Sequence, residues 1–137
     1  MTASNPPIIV AITGGSGSGK SWLAERLQHS FGGEAARASL DNFYRDRSHL
    51  PFSRRDGINF DHPRAIDWKC VEDFLVKVRH GKPANIPEYD FTMHSCSGLC
   101  AWQPKPVVLF EGLWLLLKRS LRECFDLTVY IDVPSSL

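Results

Sequence analysis

Apolar and polar positions fall in blocks along this chain of 137 residues. Ile8, Ile9, Val10, Ala11 and Ile12 are continuously apolar. That pattern predicts a strand buried on both faces of a parallel sheet. From about Lys20 the spacing changes. Leu23, Leu27 and Phe31 recur at i, i+4 and i+8, which predicts a helix with one stripe toward the sheet, ended by Gly32-Gly33. Residues 35–40 predict a short second strand that stops at Asp41. The polar stretch from Asn42 to Phe60 predicts a long loop, and such loops in compact domains tend to be functional or disordered. Asp67 predicts the N-cap of a packing helix with Val71, Phe74, Leu75 and Val78 at helical spacing, stopped by Gly81 and Pro83. Residues 86–91 and 99–102 predict a hairpin with Ser97-Gly98 between them. Val107 to Phe110 is a second continuous apolar run, ending at Glu111-Gly112. Leu113 to Leu117 predicts a short helical turn that Arg119 to Phe125 extends, and Leu127 to Ile131 a final strand between Asp126 and Asp132.

Strands alternating with helices define an open parallel α/β sheet flanked by helices. Residues 1–7 read as a flexible lead-in and residues 8–137 as one domain. In such sheets ligands bind beyond the carboxyl ends of the strands. Three positions then converge: the loop after Ile12, Asp41 and Glu111.

The loop after the first strand carries the most specific chemistry. Gly14-Gly15-Ser16-Gly17-Ser18-Gly19-Lys20-Ser21 has the form G-x-x-x-x-G-K-[ST], between a strand and a helix. Bare glycine backbone lets N–H groups wrap a triphosphate, and the helix start adds its positive dipole end. Lys20 supplies a mobile charge for the β- and γ-phosphates, and Ser21 a hydroxyl for Mg²⁺. A flexible Gly/Ser linker is the bland alternative, but a linker has no reason to join a buried strand to an amphipathic helix.

Composition narrows the class. Hydrophobic residues make up 43% and charged residues 23%, and the formal net charge is +1. This balance offers no argument for nucleic acid or an acidic membrane, and no apolar run is long enough to span a bilayer. The first seven residues lack the basic start and apolar core of a signal peptide, so the expected location is cytoplasmic. Cys70, Cys96, Cys100 and Cys124 are read as free thiols. A zinc site on His94, Cys96 and Cys100 is the alternative, although no fourth ligand is evident.

Five segments in order resemble the uridine kinase branch of the P-loop kinases that includes phosphoribulokinase. They are Gly14 to Ser21, Ser39-Leu40-Asp41-Asn42-Phe43-Tyr44-Arg45, Asn59-Phe60-Asp61-His62-Pro63, Pro87-Glu88-Tyr89-Asp90-Phe91-x-x-His94, and Phe110-Glu111-Gly112. The first and last are generic to P-loop enzymes; the middle three are specific. The resemblance implies ATP-dependent phosphorylation of the 5′-hydroxyl of uridine or cytidine, with ATP (or GTP) as donor and Mg²⁺. It implies Asp41 as catalytic carboxylate with Lys20, Mg²⁺ held by Ser21 and, partly through water, by Glu111, and nucleoside contacts from Asp41, Tyr44, Asp61, Tyr89, Phe91 and His94. Taken alone, Asp41 and Glu111 also fit strand-end caps, Tyr89 and Phe91 hairpin packing, and His94 a structural histidine. His62-Pro63 fits a turn that positions Asp61.

The chain departs from the family pattern at Cys96, where an arginine is usual, and at Arg64, where an acid follows His-Pro. Family members also continue past the last predicted strand into an Arg-rich lid helix and a further strand. The resemblance therefore implies a fragment of a longer kinase, or a partner that supplies the missing positive charge. Related kinases acting on a phosphorylated sugar, pantothenate or nicotinamide riboside, and an ATP-binding module without turnover, are the competing functions. Expected partners are the nucleoside and the nucleoside triphosphate, with homo-oligomers possible.

Overall fold

The computed structural model describes residues 5–15, 17–45, 50–55, 63–90, 92–93 and 95–132. In chain order its elements are β1 (Ile8–Gly14), α1 (Lys20–Phe31), β2 (Ala35–Ser39), the four-residue α2 (Phe52–Arg55) and α3 (Trp68–Arg79), then β3 (Ala84–Asp90), β4 (Ser95–Trp102), β5 (Val107–Gly112), the four-residue α4 (Arg119–Arg122) and β6 (Leu127–Ile131). Four strands form a parallel sheet in the order β2-β5-β1-β6, and β3 and β4 form a separate antiparallel hairpin.

The two continuous apolar runs are the two central strands. Residues 9–12 of β1 and 108–110 of β5 are buried, as strands covered on both faces must be. Their register sets the site. Ile12 pairs with Glu111, and Glu111 with Ser39, so β1, β5 and β2 are level near their carboxyl ends. One face of the sheet packs on α1 through Ala24, with Leu23 and Leu27 half-buried beside it. Phe31, expected on the same stripe, is instead 45% exposed. It is the last residue of α1, where the chain turns away into a 3-10 turn at Gly32–Glu34.

The other face carries the larger core. Asp67 caps α3 as expected, its carboxylate accepting the Cys70 N–H at 3.3 Å. Trp68, Val71, Phe74, Leu75 and Val78 are buried on one side of that helix. Phe74 meets Phe43, Trp102 and Phe110 with ring centroids 5.4, 5.0 and 5.8 Å apart. Trp102 also donates its indole N–H to the Arg37 carbonyl at 3.1 Å. β2 is an outer strand of the sheet, so this bond occupies a polar group of an edge strand.

Two further expectations are corrected. The hairpin does not turn at Ser97-Gly98. Asp90 Oδ1 accepts the N–H groups of Thr92 and Met93 at 2.9 and 3.1 Å, which closes the connection there. Gly98 lies within β4 opposite Glu88, and the shift of register to Tyr89 opposite Cys96 leaves Ser97 over as a bulge. The predicted helix from Leu113 to Phe125 is also reduced. Residues 113–118 are bends and turns, and only Arg119–Arg122 is helical. The chain has to unwind by Asp126, whose carboxylate accepts the Ile9 N–H and whose N–H reaches the Ile9 carbonyl, both at 2.8 Å. Among the described residues no helix is long and apolar enough to cross a membrane.

Cys124 sits half-buried behind α4, its thiol on the Ser120 carbonyl at 3.3 Å. Burial pushes this thiol up from its ordinary range, and the Arg79 guanidinium offsets part of that. The sign follows. The native state keeps the proton longer, so this contribution to stability is intact below the ordinary thiol range. It is lost as pH rises through the raised value. Iodoacetamide at about pH 8.5 is expected to label exposed Cys100 well before Cys124. Peptide mass mapping over time checks this, and equal labelling rates would contradict it.

Candidate active site

The loop between β1 and α1 is shaped by its glycines. Gly19 caps α1 at φ +96°, a conformation that favours glycine. The Ser18 N–H bonds the Gly15 carbonyl at 3.1 Å, and the Leu23 N–H bonds that of Gly19 at 3.0 Å. A Cβ placed on Gly15, Gly17 or Gly19 would meet, beyond its chain neighbours, no atom of the described residues within 4 Å. Their backbone therefore faces open space, as a cradle for an anion requires. Lys20 folds back over the loop and donates to the Gly15 carbonyl at 2.9 Å. The Ser18 hydroxyl is enclosed with no hydrogen-bond partner among the described residues. It packs where a Cβ on Gly14 would fall, 2.9 Å away, with the Ile131 carbonyl 2.7 Å away on β6.

Across the loop stands Glu111, only 7% exposed at the end of β5. Its Oε1 accepts the Ser21 hydroxyl at 3.2 Å. A charged carboxylate is costly to bury without a partner, so a cation is the expected counter-charge here. Hydroxyl and carboxylate are hard oxygen donors, and the pair fits Mg²⁺. These two residues would hold the ion.

Asp41 follows β2 on a 3-10 turn, Leu40–Phe43. The turn has an inner and an outer side. Leu40 and Phe43 are buried, and the Phe43 ring stacks 6.0 Å from Phe110 of β5. Asp41 is thereby left exposed on the outer side. Ser39 caps the turn by accepting the Asp41 N–H at 3.2 Å. The Tyr44 hydroxyl donates to Asp41 Oδ1 at 3.2 Å. Gly17, Lys20, Ser21, Asp41, Tyr44 and Glu111 line one cleft of about 230 Å³, floored by Leu40, Ile66, Gly112, Leu113 and Trp114. Thr13, buried on β1, donates to the Leu113 carbonyl at 3.3 Å and so joins the phosphate loop's strand to that floor.

The phosphate loop, Ser21, Glu111, Asp41 and Tyr44 are thus brought together. Tyr44 was expected on the nucleoside, and its hydroxyl lies on Asp41. Ser16, Asp61, Phe91 and His94 lie outside the described residues, as does the Tyr89 side chain, although Tyr89 itself is paired in β3. For the zinc alternative, Cys100 is exposed, whereas His94 and the side chain of Cys96 are not described. Among the described residues no three metal-binding side chains of His, Cys, Asp or Glu cluster. Sequence reading missed Ser39, Thr13 and Trp114. Ser39 was accessible to it, because Ser-x-Asp is the spacing of a hydroxyl-capped turn.

A parallel sheet with a glycine-rich phosphate loop after its first strand, a serine–glutamate pair and an acid across the same cleft defines a P-loop kinase fold. The chain belongs to the Phosphoribulokinase / Uridine kinase family, whose model matches residues 9–137. A uridine kinase of Deinococcus deserti is 37% identical over 139 aligned residues, covering 100% of this chain and 67% of the relative. The chain spans about two thirds of the length of the curated relatives it matches. Among solved structures, one named provisionally as a fructose transport system kinase, from Silicibacter, superposes with a TM-score of 0.80 at 23% identity. It covers 97% of this chain and 68% of that one. A possible uridine kinase from Bacillus stearothermophilus gives 0.77 at 20% identity, covering 99% and 76%. At these identities the structural likeness speaks for the fold.

Proposed function

We propose that this chain carries the donor and acceptor sites of a nucleoside kinase that transfers the γ-phosphoryl group of ATP (or GTP) to the 5′-hydroxyl of uridine or cytidine. The observation that carries this reading is the single cleft with Lys20, Ser21 and Glu111 on one side and Asp41 with Tyr44 on the other. Phosphoryl transfer needs little covalent help from protein groups. It needs alignment, neutralised charge and a base.

Each residue has a task in that scheme. The loop N–H groups and Lys20 hold the phosphates. Asp41 takes the proton of the attacking hydroxyl as its oxygen bonds to the γ-phosphorus. The bond from that phosphorus to the β–γ bridging oxygen breaks, and the nucleoside diphosphate leaves. Mg²⁺, when bound by Ser21 and Glu111, supplies neutralisation of phosphate charge. Asp61, Tyr89, Phe91 and His94 are assigned to the nucleoside, by the resemblance of their segments and by the kinase names of the relatives. Uridine and cytidine are chosen over other acceptors on the same Tyr89-Asp90-Phe91-x-x-His94 segment.

The test is ADP release with Mg²⁺ and ATP across uridine, cytidine, a phosphorylated sugar, pantothenate and nicotinamide riboside. Uridine or cytidine is expected to raise ADP release above the acceptor-free rate, and the others to leave it unchanged. Stimulation by the sugar alone would overturn the acceptor assignment. ATP binding with no response to any acceptor would favour a binding module.

A further inference from the structure

Asn42 follows the proposed base directly, yet its side chain points away from the cleft. Its Nδ2 donates to the Pro87 carbonyl of β3 at 3.2 Å. This joins the catalytic turn to the hairpin. The hairpin belongs to no part of the main sheet; Ala84 and Ile86 of β3 anchor it in the core, and side-chain bonds tie it further. At its base Trp102 is bound to Arg37 and packed on Phe74. Further along, Asn42 holds Pro87, one residue before the bulge between Glu88 and Tyr89. A bulge interrupts the ladder and bends the strand. The backbone past it is therefore placed by whatever fixes the strand just before it.

We infer that Asn42 is a positioning residue, which acts through Pro87 to set the hairpin against Asp41. The inference rests on the acceptor role proposed above for the hairpin. The chemistry is one-directional. Proline has no N–H, so its carbonyl is the polar backbone group it can offer, and that group accepts only from a donor. Asparagine supplies the donor. Aspartate has nearly the same shape and, ionised, supplies none. The bond leaves Asp41 within its own turn, where Ser39 and Tyr44 hold it. Losing the bond therefore loosens the arm and spares the phosphate loop.

Asn42→Asp removes the donor at constant volume, and Asn42→Ala removes it without adding charge. For both variants the acceptor KM is expected to rise about tenfold or more, since misplaced reactants are costly, with the ATP KM within about twofold. Independently of turnover, amide hydrogen exchange in residues 88–98 is expected to accelerate several-fold while residues 8–14 stay protected. Unchanged exchange in the hairpin overturns the inference, whatever the kinetics. So does an ATP KM that rises in step with that of the acceptor, because that marks general loosening. If the unsubstituted chain turns over no nucleoside but the variants still release the hairpin, the mechanical coupling stands and the proposed acceptor falls.

Discussion

Asp41→Asn is expected to lower nucleoside phosphorylation by about 100-fold or more, the usual contribution of a positioned base, while ATP binding stays within about twofold. The asymmetry comes from where Asp41 sits. It is exposed on the outer side of the Leu40–Phe43 turn and takes no part in the phosphate loop's own hydrogen bonds. Asparagine keeps the shape and still accepts from the Tyr44 hydroxyl, so the turn is retained. What is lost is a site for the proton of the attacking hydroxyl. Single-turnover phosphorylation of radiolabelled uridine, alongside fluorescence titration with an ATP analogue, separates the two effects. A variant that phosphorylates uridine at the parental rate removes Asp41 from the chemistry. Parallel loss of ATP binding would place it in the donor site instead.

Gly112→Ala is expected to lower the thermal midpoint by about 5 °C, an overpacking cost of about 1–3 kcal/mol. Gly112 is buried at the end of β5. A Cβ there would overlap that of Leu40 and stand 3.0 and 3.2 Å from two further carbons of the same side chain. Leu40 is fully enclosed and cannot swing clear. The strain passes to the turn that carries Asp41, so uridine turnover should fall beyond what the lost stability explains. Calorimetry and kcat measured well below the new midpoint check both parts. An alanine variant that is as stable and as active as its parent would show that the turn yields freely.

The core of the fold was legible because burial leaves a simple trace. Unbroken apolar residues at 8–12 and 107–110, short and bounded by glycine and proline, read as strands covered on both sides; all but Ile8 and Val107 are buried, and they are the sheet's centre. Asp67 before a helical stripe was equally plain. The site was legible where chemistry restricts residue type, as at Gly14 to Ser21 and Glu111. Elsewhere two local signals competed. Asp90 and Ser97-Gly98 both favour a turn, and only pairing across the hairpin decides between a connection and a bulge. Phe31 kept the helical spacing but fell at the helix end, where spacing no longer implies contact. The shortening of the helix at residues 119–122 depends on Asp126 reaching Ile9, more than a hundred positions away. The bond from Tyr44 to Asp41 is a matter of side-chain direction, which residue type alone leaves undetermined.

The division between the main sheet and the β3–β4 hairpin has an evolutionary consequence. The elements proposed to hold the phosphates and their counter-ion are locked to each other by backbone register, Ile12 beside Glu111 beside Ser39. The arm proposed for the second substrate shares no backbone ladder with that sheet and is joined to it by side chains, Ala84 and Ile86 in the core, Trp102 on Arg37 and Asn42 on Pro87. Such an arm is free to diversify in length and lining across lineages while the engine beneath it stays fixed, so one scaffold can be re-tooled for new alcohols.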